Sequence, residues 1–254
     1  MQKSFAAAEQ AALEAKDRAL ARAGKAVPDA IAAFELAGLS AQEQIQFARA
    51  LDHFRAAAAL TSRKRDPIEW ARVQHEIAYV LYELGQASDV EAILRDMAAT
   101  HERVLGAEHP ETSASRNNLA IALRAQGRNA EAEQEHRAVL TVRARVLSAE
   151  HPEALMSRNN LASALYSQGK NTEAEQEHRA ALTLRERVLG AEHPDVFESC
   201  YNLAVSLWAQ DKPKAALEYA RRARDGCRRV LGEEQPDAKD AVRLCERLEA
   251  ALAR

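Results

Sequence analysis

Apolar positions along this chain follow two periods at once. Within a helix-length stretch, leucines fall four residues apart: Leu119 and Leu123, Leu161 and Leu165, Leu203 and Leu207. That spacing places them on one stripe of a helix. The whole pattern then recurs every forty-two residues. Residues 104–145 read VLGAEHPETSASRNNLAIALRAQGRNAEAEQEHRAVLTVRAR, and residues 146–187 read VLSAEHPEALMSRNNLASALYSQGKNTEAEQEHRAALTLRER. A more divergent copy, VLGAEHPDVFESCYNLAVSLWAQDKPKAALEYARRARDGCRR, covers 188–229, and a further one starts at Val230. A fixed period of this length marks stacked helical repeats. Alanines at 120, 162 and 204, and at 132, 174 and 216, mark positions where helices must approach closely.

Local punctuation divides each unit into two helices. Pro110, Pro152, Pro194 and Pro236 suit the first helical turn, where a missing N–H costs nothing. Gly127 and Gly169 end the first helices, with Asp211 at the third equivalent, and the second helices end near Gly106, Ser148, Gly190 and Gly232. Glu133 with Arg137 and Glu175 with Arg179 form favourable i,i+4 pairs. Shifted by one period, Ile77-Ala78 falls under Leu119-Ala120 and Gly85 under Gly127, so an earlier repeat starts at Asp66-Pro67-Ile68-Glu69, with Asp66 as N-cap.

Residues 1–65 break the pattern. A weak amphipathic helix is expected over 1–24, closed by Gly24. A short helix is expected over about 28–37, with Ile31, Phe34 and Leu36 apolar and Gly38 as its stop. Ser40 and Glu43 have capping-box spacing, so a longer helix should start at 41 and carry Ile45, Phe47, Leu51, Phe54 and Leu60. The expected domains are an irregular helical cap at 1–65 and an array at 66–254. Within the array the repeats span about 66–107, 108–149, 150–191 and 192–233, and a capping helix follows at 234–253.

Composition agrees with an all-helical chain. It is rich in strong helix formers, and aromatic residues make up only 5%. A net charge of −3 with interspersed signs argues against a dedicated nucleic-acid binder. Arg63-Lys64-Arg65 and the arginines at 221, 222, 228 and 229 read as cations near helix C-termini. Cys200, Cys227 and Cys245 are odd in number and form no CxxC pair, which fits reduced thiols in the cytoplasm. The opening residues contain no apolar run of signal-peptide type, and no stretch approaches the roughly 18 apolar residues of a membrane span.

The pattern Asn-Leu-Ala, two residues, Leu, three residues, Gly, then Glu-Ala occurs as Asn118-Leu119-Ala120, Leu123, Gly127 and Glu131-Ala132. It recurs as Asn160-Leu161-Ala162, Leu165, Gly169 and Glu173-Ala174. The third copy gives Asn202-Leu203-Ala204, Leu207, Asp211 and Ala215-Ala216. This resembles the forty-two-residue tetratricopeptide repeats of kinesin light chains and many bacterial proteins. The resemblance covers roughly 66–254. It implies an all-α, right-handed superhelical solenoid of antiparallel helix pairs, with first helices lining a concave groove.

Carried onto this chain, the groove positions form lines. One is Glu76, Asn118, Asn160 and Asn202; another is His75, Asn117, Asn159 and Tyr201; a third is Tyr79, Ile121, Ser163 and Val205. A fourth is Tyr82, Arg124, Tyr166 and Trp208. Asn amides both donate and accept hydrogen bonds, so a ladder of them suits the backbone of an extended peptide. They could equally hold adjacent repeats in register. Aromatics and arginine supply the usual anchors of an interface. The expected function is a non-catalytic protein- or peptide-binding scaffold, with a regulatory or sensor subunit acting on a partner enzyme as the alternative. No catalytic, cofactor or metal residues are expected. His109, His151 and His193 recur once per layer, roughly 10 Å apart, whereas zinc ligands converge to about 2 Å; they read as caps of the inter-repeat turn. His75-Glu76 begins like a metalloprotease helix, but residue 79 is Tyr where a second His is needed.

Overall fold

A computed structural model describes residues 27–43 and 45–253, and the helix expected over 1–24 lies outside them. Among the described residues there are eleven helices and no strands. In order they are α1 (Val27–Glu43), α2 (Phe47–Ala58), α3 (Pro67–Glu83), α4 (Ala87–Leu105), α5 (Pro110–Ala125) and α6 (Asn129–Val146). After these come α7 (Pro152–Ser167), α8 (Asn171–Leu189), α9 (Pro194–Trp208), α10 (Pro213–Val230) and α11 (Pro236–Leu252). The chain divides between Ala122 and Leu123 into two compact units.

In the first unit α2 packs on both α1 and α3, and α3 packs on α4. Its core is built from Ile31, Phe34, Leu51, Phe54, Val73, Ile77, Val80, Leu81, Val90, Leu94 and Met97, with alanines between them. In the second unit each helix from α6 to α11 packs on the next, and α9 also touches α7 and α11. The leucine stripe is fully buried there, at Leu161, Leu165, Leu203 and Leu207. Ala162, Ala204, Ala174 and Ala216 have no exposed surface, as close helix approach requires.

The turn after each first helix has one geometry. Gly85, Gly127 and Gly169 adopt φ of 73°, 76° and 75°, in the left-handed region that glycine enters without steric cost. Each N–H reaches back to a first-helix carbonyl, for instance Gly169 to Tyr166 at 2.9 Å and Lys170 to Leu165 at 3.0 Å. Asp211 keeps this turn at φ 57°, with Lys212 bonded to Leu207 at 3.1 Å. Aspartate is among the few other residues that tolerate such a φ. Ser148 takes the glycine position of a second-helix end at φ 101°.

Local expectations are corrected at four places. Gly38 does not stop a helix, because α1 runs through it to Glu43. Its role is packing: a Cβ there would lie 2.6 Å from the Phe54 ring. The helix expected from residue 41 instead starts at Phe47, and Ile45 sits in the break at φ 58° with 77% of its surface exposed. Leu36 is also exposed, while Ile31 and Phe34 are buried. Two positions beyond Phe34, it points to the other side of the helix. Asp66 precedes α3 as expected but makes no side-chain cap bond, and Glu69 instead binds Arg72.

Candidate functional site

Polar side chains inside the layers are organised before any surface is offered to a partner. Residue 101 and its equivalents at 143 and 185 are His, Arg and Arg, all buried. His101 Nδ1 lies 2.8 Å from Ser115 Oγ and 3.3 Å from the carbonyl of Glu111. Arg143 donates to Ser157 Oγ at 2.9 Å and to the Glu153 carbonyl. Arg185 donates to Ser199 Oγ and to the Asp195 carbonyl, both at 2.8 Å. In the last layer the pair becomes Cys227 and Ala241, and both are buried. Sequence reasoning missed this device, although its signal was present as Arg and Ser recurring one period apart.

A second device ties α6 to the turn after α7, and α8 to the turn after α9. Glu133 accepts from Arg137 at 2.8 Å, Lys170 at 2.7 Å and Gln168 at 2.8 Å. Glu175 accepts from Arg179, Lys212 and Gln210 in the same way. Burial pushes each carboxyl up, but the bonds from these donors outweigh it and hold both at about 2. His109, His151 and His193 act as caps, each Nδ1 accepting from the backbone N–H two residues on, at 3.2, 3.3 and 3.2 Å.

The asparagine pairs are divided by this packing. Asn117 and Asn159 are buried, and Asn118, Asn160 and Asn202 are partly exposed. Asn159 donates to Glu198 at 3.2 Å and accepts from Asn202 at 3.1 Å. Asn159 therefore bridges α7 and α9.

In the first unit, α3 and residues 118–122 of α5 bring five of the expected positions together. His75, Tyr79, Tyr82, Asn118 and Ile121 line a cleft of about 290 Å³, floored by Ala78, Val90 and Leu94. Tyr79 and Tyr82 are 49% and 63% exposed. An adjoining cleft of about 350 Å³ shares His75 and Asn118 and adds Arg72, Glu76, Met97, His101, Glu111 and Ser115.

In the second unit, Tyr166, Tyr201, Val205, Trp208, Leu244 and Arg247 surround a cleft of about 360 Å³. The Arg247 guanidinium lies 4.7 Å from the centre of the Trp208 ring, within cation–π range. Burial raises the Tyr201 hydroxyl, and Asp240 nearby adds to this. Arg124 is exposed but is not among the residues lining this cleft.

The cysteines are free and buried, and burial pushes the Cys200 thiol up to about 11, which makes it a poor nucleophile. Among the described residues no group of three or more His, Cys, Asp or Glu is placed to hold a metal ion. No described helix is long and apolar enough to cross a membrane.

Comparison with solved structures returns other helical-repeat proteins. BtubC (BKLC) from P. vanneervenii superposes with a TM-score of 0.74 at 19% identity, covering 92% of this chain and 93% of that one. A putative kinesin light chain of Podosopora anserina, described as having nearly identical TPR-like repeats, gives 0.70 at 26% identity over 80% of this chain and 97% of that one. YrrB, described as a TPR protein with an unusual peptide-binding site, gives 0.52 at 16% identity over 84% and 91%. No curated protein matches the chain. A family model, described as tetratricopeptide repeat, matches residues 71–145, 115–185 and 152–229. With helix pairs, glycine turns and alanine contacts recurring on one period, the chain belongs to the tetratricopeptide repeat family.

Proposed function

We propose that the protein is a non-catalytic scaffold that binds a protein or peptide segment on its first-helix face, the face expected to form the concave groove. One observation carries this reading: Tyr79 and Tyr82 stand largely in water at the rim of an apolar cleft, although the chain has few aromatics. Large amphipathic rings around a mostly apolar concavity are what binding sites are built from. The aromatic cleft of the second unit supports the same reading at a separate place. So does the peptide-binding site named for YrrB. Asn118, Asn160 and Asn202 are the amides exposed enough to meet a partner backbone, whereas Asn159 is engaged inside the stack.

The test is selection of random peptides displayed on phage against the immobilised chain, in parallel with Tyr79→Ala/Tyr82→Ala and Tyr166→Ala. Enrichment on the wild type should be lost on at least one folded variant. Enrichment that survives on both variants, with helical circular dichroism unchanged, would sink the proposal.

A further inference from the structure

The two clefts of the first unit differ in chemistry and share a wall. The cleft at Tyr79, Tyr82 and Ile121 contains no charged group beyond what His75 can carry. Its neighbour is lined by one cation, Arg72, and by the carboxylates of Glu76 and Glu111. Arg72 is already committed: it donates to Glu35 at 2.7 Å and to both oxygens of Glu69 at 3.0 and 2.7 Å. Two carboxylates thus share this one guanidinium, while Glu76 and Glu111 line the same cleft. Glu76 and Glu111 have no cationic partner among the described residues. Burial raises the Glu35 carboxyl against the pull of Arg72, and Glu69 and Glu76 push it further. The field in this cleft is therefore negative.

We infer that this paired cleft recognises a protein segment carrying a large apolar side chain beside a lysine or arginine. The inference rests on the scaffold reading and names the class of its partner. The apolar side chain enters between Tyr79, Tyr82 and Ile121. The neighbouring cation passes the shared wall at His75 and Asn118 and meets Glu76 and Glu111. An acidic segment would add like charge to a cleft whose one cation is already paired, and such a juxtaposition is strongly disfavoured. The aromatic cleft of the second unit has the opposite character, since Arg247 covers Trp208 and pairs with no described carboxylate.

The experiment sequences the peptides enriched on the full chain and measures them by fluorescence anisotropy on three proteins: wild type, Glu76→Gln/Glu111→Gln, and Tyr79→Ala/Tyr82→Ala. Peptides that need the tyrosines should pair an aromatic or branched aliphatic residue with Lys or Arg. Their binding should weaken about tenfold in the glutamine variant and fall with rising salt, as for a charge pair at an interface rim. Tyrosine-dependent peptides that are acidic or uncharged, or that ignore the glutamine changes, overturn this inference and leave the scaffold reading standing. No enrichment at all, or none that depends on the tyrosine or Tyr166 changes, overturns both. A dimer of the wild type that Tyr79→Ala/Tyr82→Ala converts to monomer would make this face a self-interface and would also overturn the inference.

Discussion

His136 and His178 occupy equivalent positions on α6 and α8 and are almost wholly buried. Neither ring nitrogen of His136 has a hydrogen-bond partner, nor does Nδ1 of His178. Burial first, then Arg124 and Arg143 beside His136 and Arg185 beside His178, lower both imidazoles to about 4. In the unfolded chain they titrate near pH ~6.5. Between those values the unfolded state binds more protons than the folded one, so stability rises with pH across that window. It is complete above ~6.5 and is lost as the pH falls towards 4, by roughly a few kcal/mol for the two together. Glu133 and Glu175, held at about 2 in the folded protein, take up protons only in the unfolded chain near pH ~4.5, so they steepen the acid end of the window and the histidine slope is read above about pH 5.5. The first repeat carries Leu94 at the same position. His136→Leu should therefore remove about half of the slope, read from urea denaturation at a series of pH values; an unchanged slope would refute the assignment. Sequence patterning could not place these histidines inside, because a lone His on a helix is compatible with either face.

At the scale of elements, α9 and α10 meet through an exchange of volume. Phe197 stands where the previous repeat has Leu155, and Gly226 stands where it has Leu184. A Cβ on Gly226 would lie 2.2–2.5 Å from the buried Phe197 ring. Alanine in a helix interior normally gains about 1 kcal/mol over glycine. Here overpacking of a fixed ring, about 1–3 kcal/mol, should win. Gly226→Ala should thus destabilise the protein, and adding Phe197→Leu should recover most of the loss in a double-mutant cycle. Gly38 teaches the same lesson against Phe54, since its place in the sequence suggested a helix stop and its contact explains why a helix passes through it. By contrast, Gly85, Gly127 and Gly169 were legible as stops, because each sits at the end of a leucine stripe and the left-handed turn there is a local requirement.

For the molecule as a whole, repeats contact chiefly their neighbours, so the array depends on how its final layer is closed. Ala241, Leu244, Cys245 and Leu248 of α11 complete one core with Val196, Cys200, Leu203 and Leu207 of α9. Truncation after residue 233 should uncover that core. The expected result is a melting temperature lower by at least about 5 °C, with loss of amide protection in α9 and α10. Protection in α1–α4 should change little. Equal loss in both regions would contradict nearest-neighbour stabilisation.

The repeat period, the proline starts, the glycine turns and the leucine and alanine contacts were all readable from the chain. Each follows from a rule that acts within one helix or between helices adjacent in sequence. The aromatic positions of the clefts were readable for the same reason, since the period carries Tyr82 onto Tyr166 and Trp208. Tertiary structure alone decided which asparagine of each pair is buried, that Arg143 and Arg185 lie inside with their serines, and that His75, Tyr79, Tyr82, Asn118 and Ile121 share one cleft. Those outcomes depend on how far each helix is rotated against its neighbours. That rotation is set by the fit of many side chains at once and not by the spacing of any one motif.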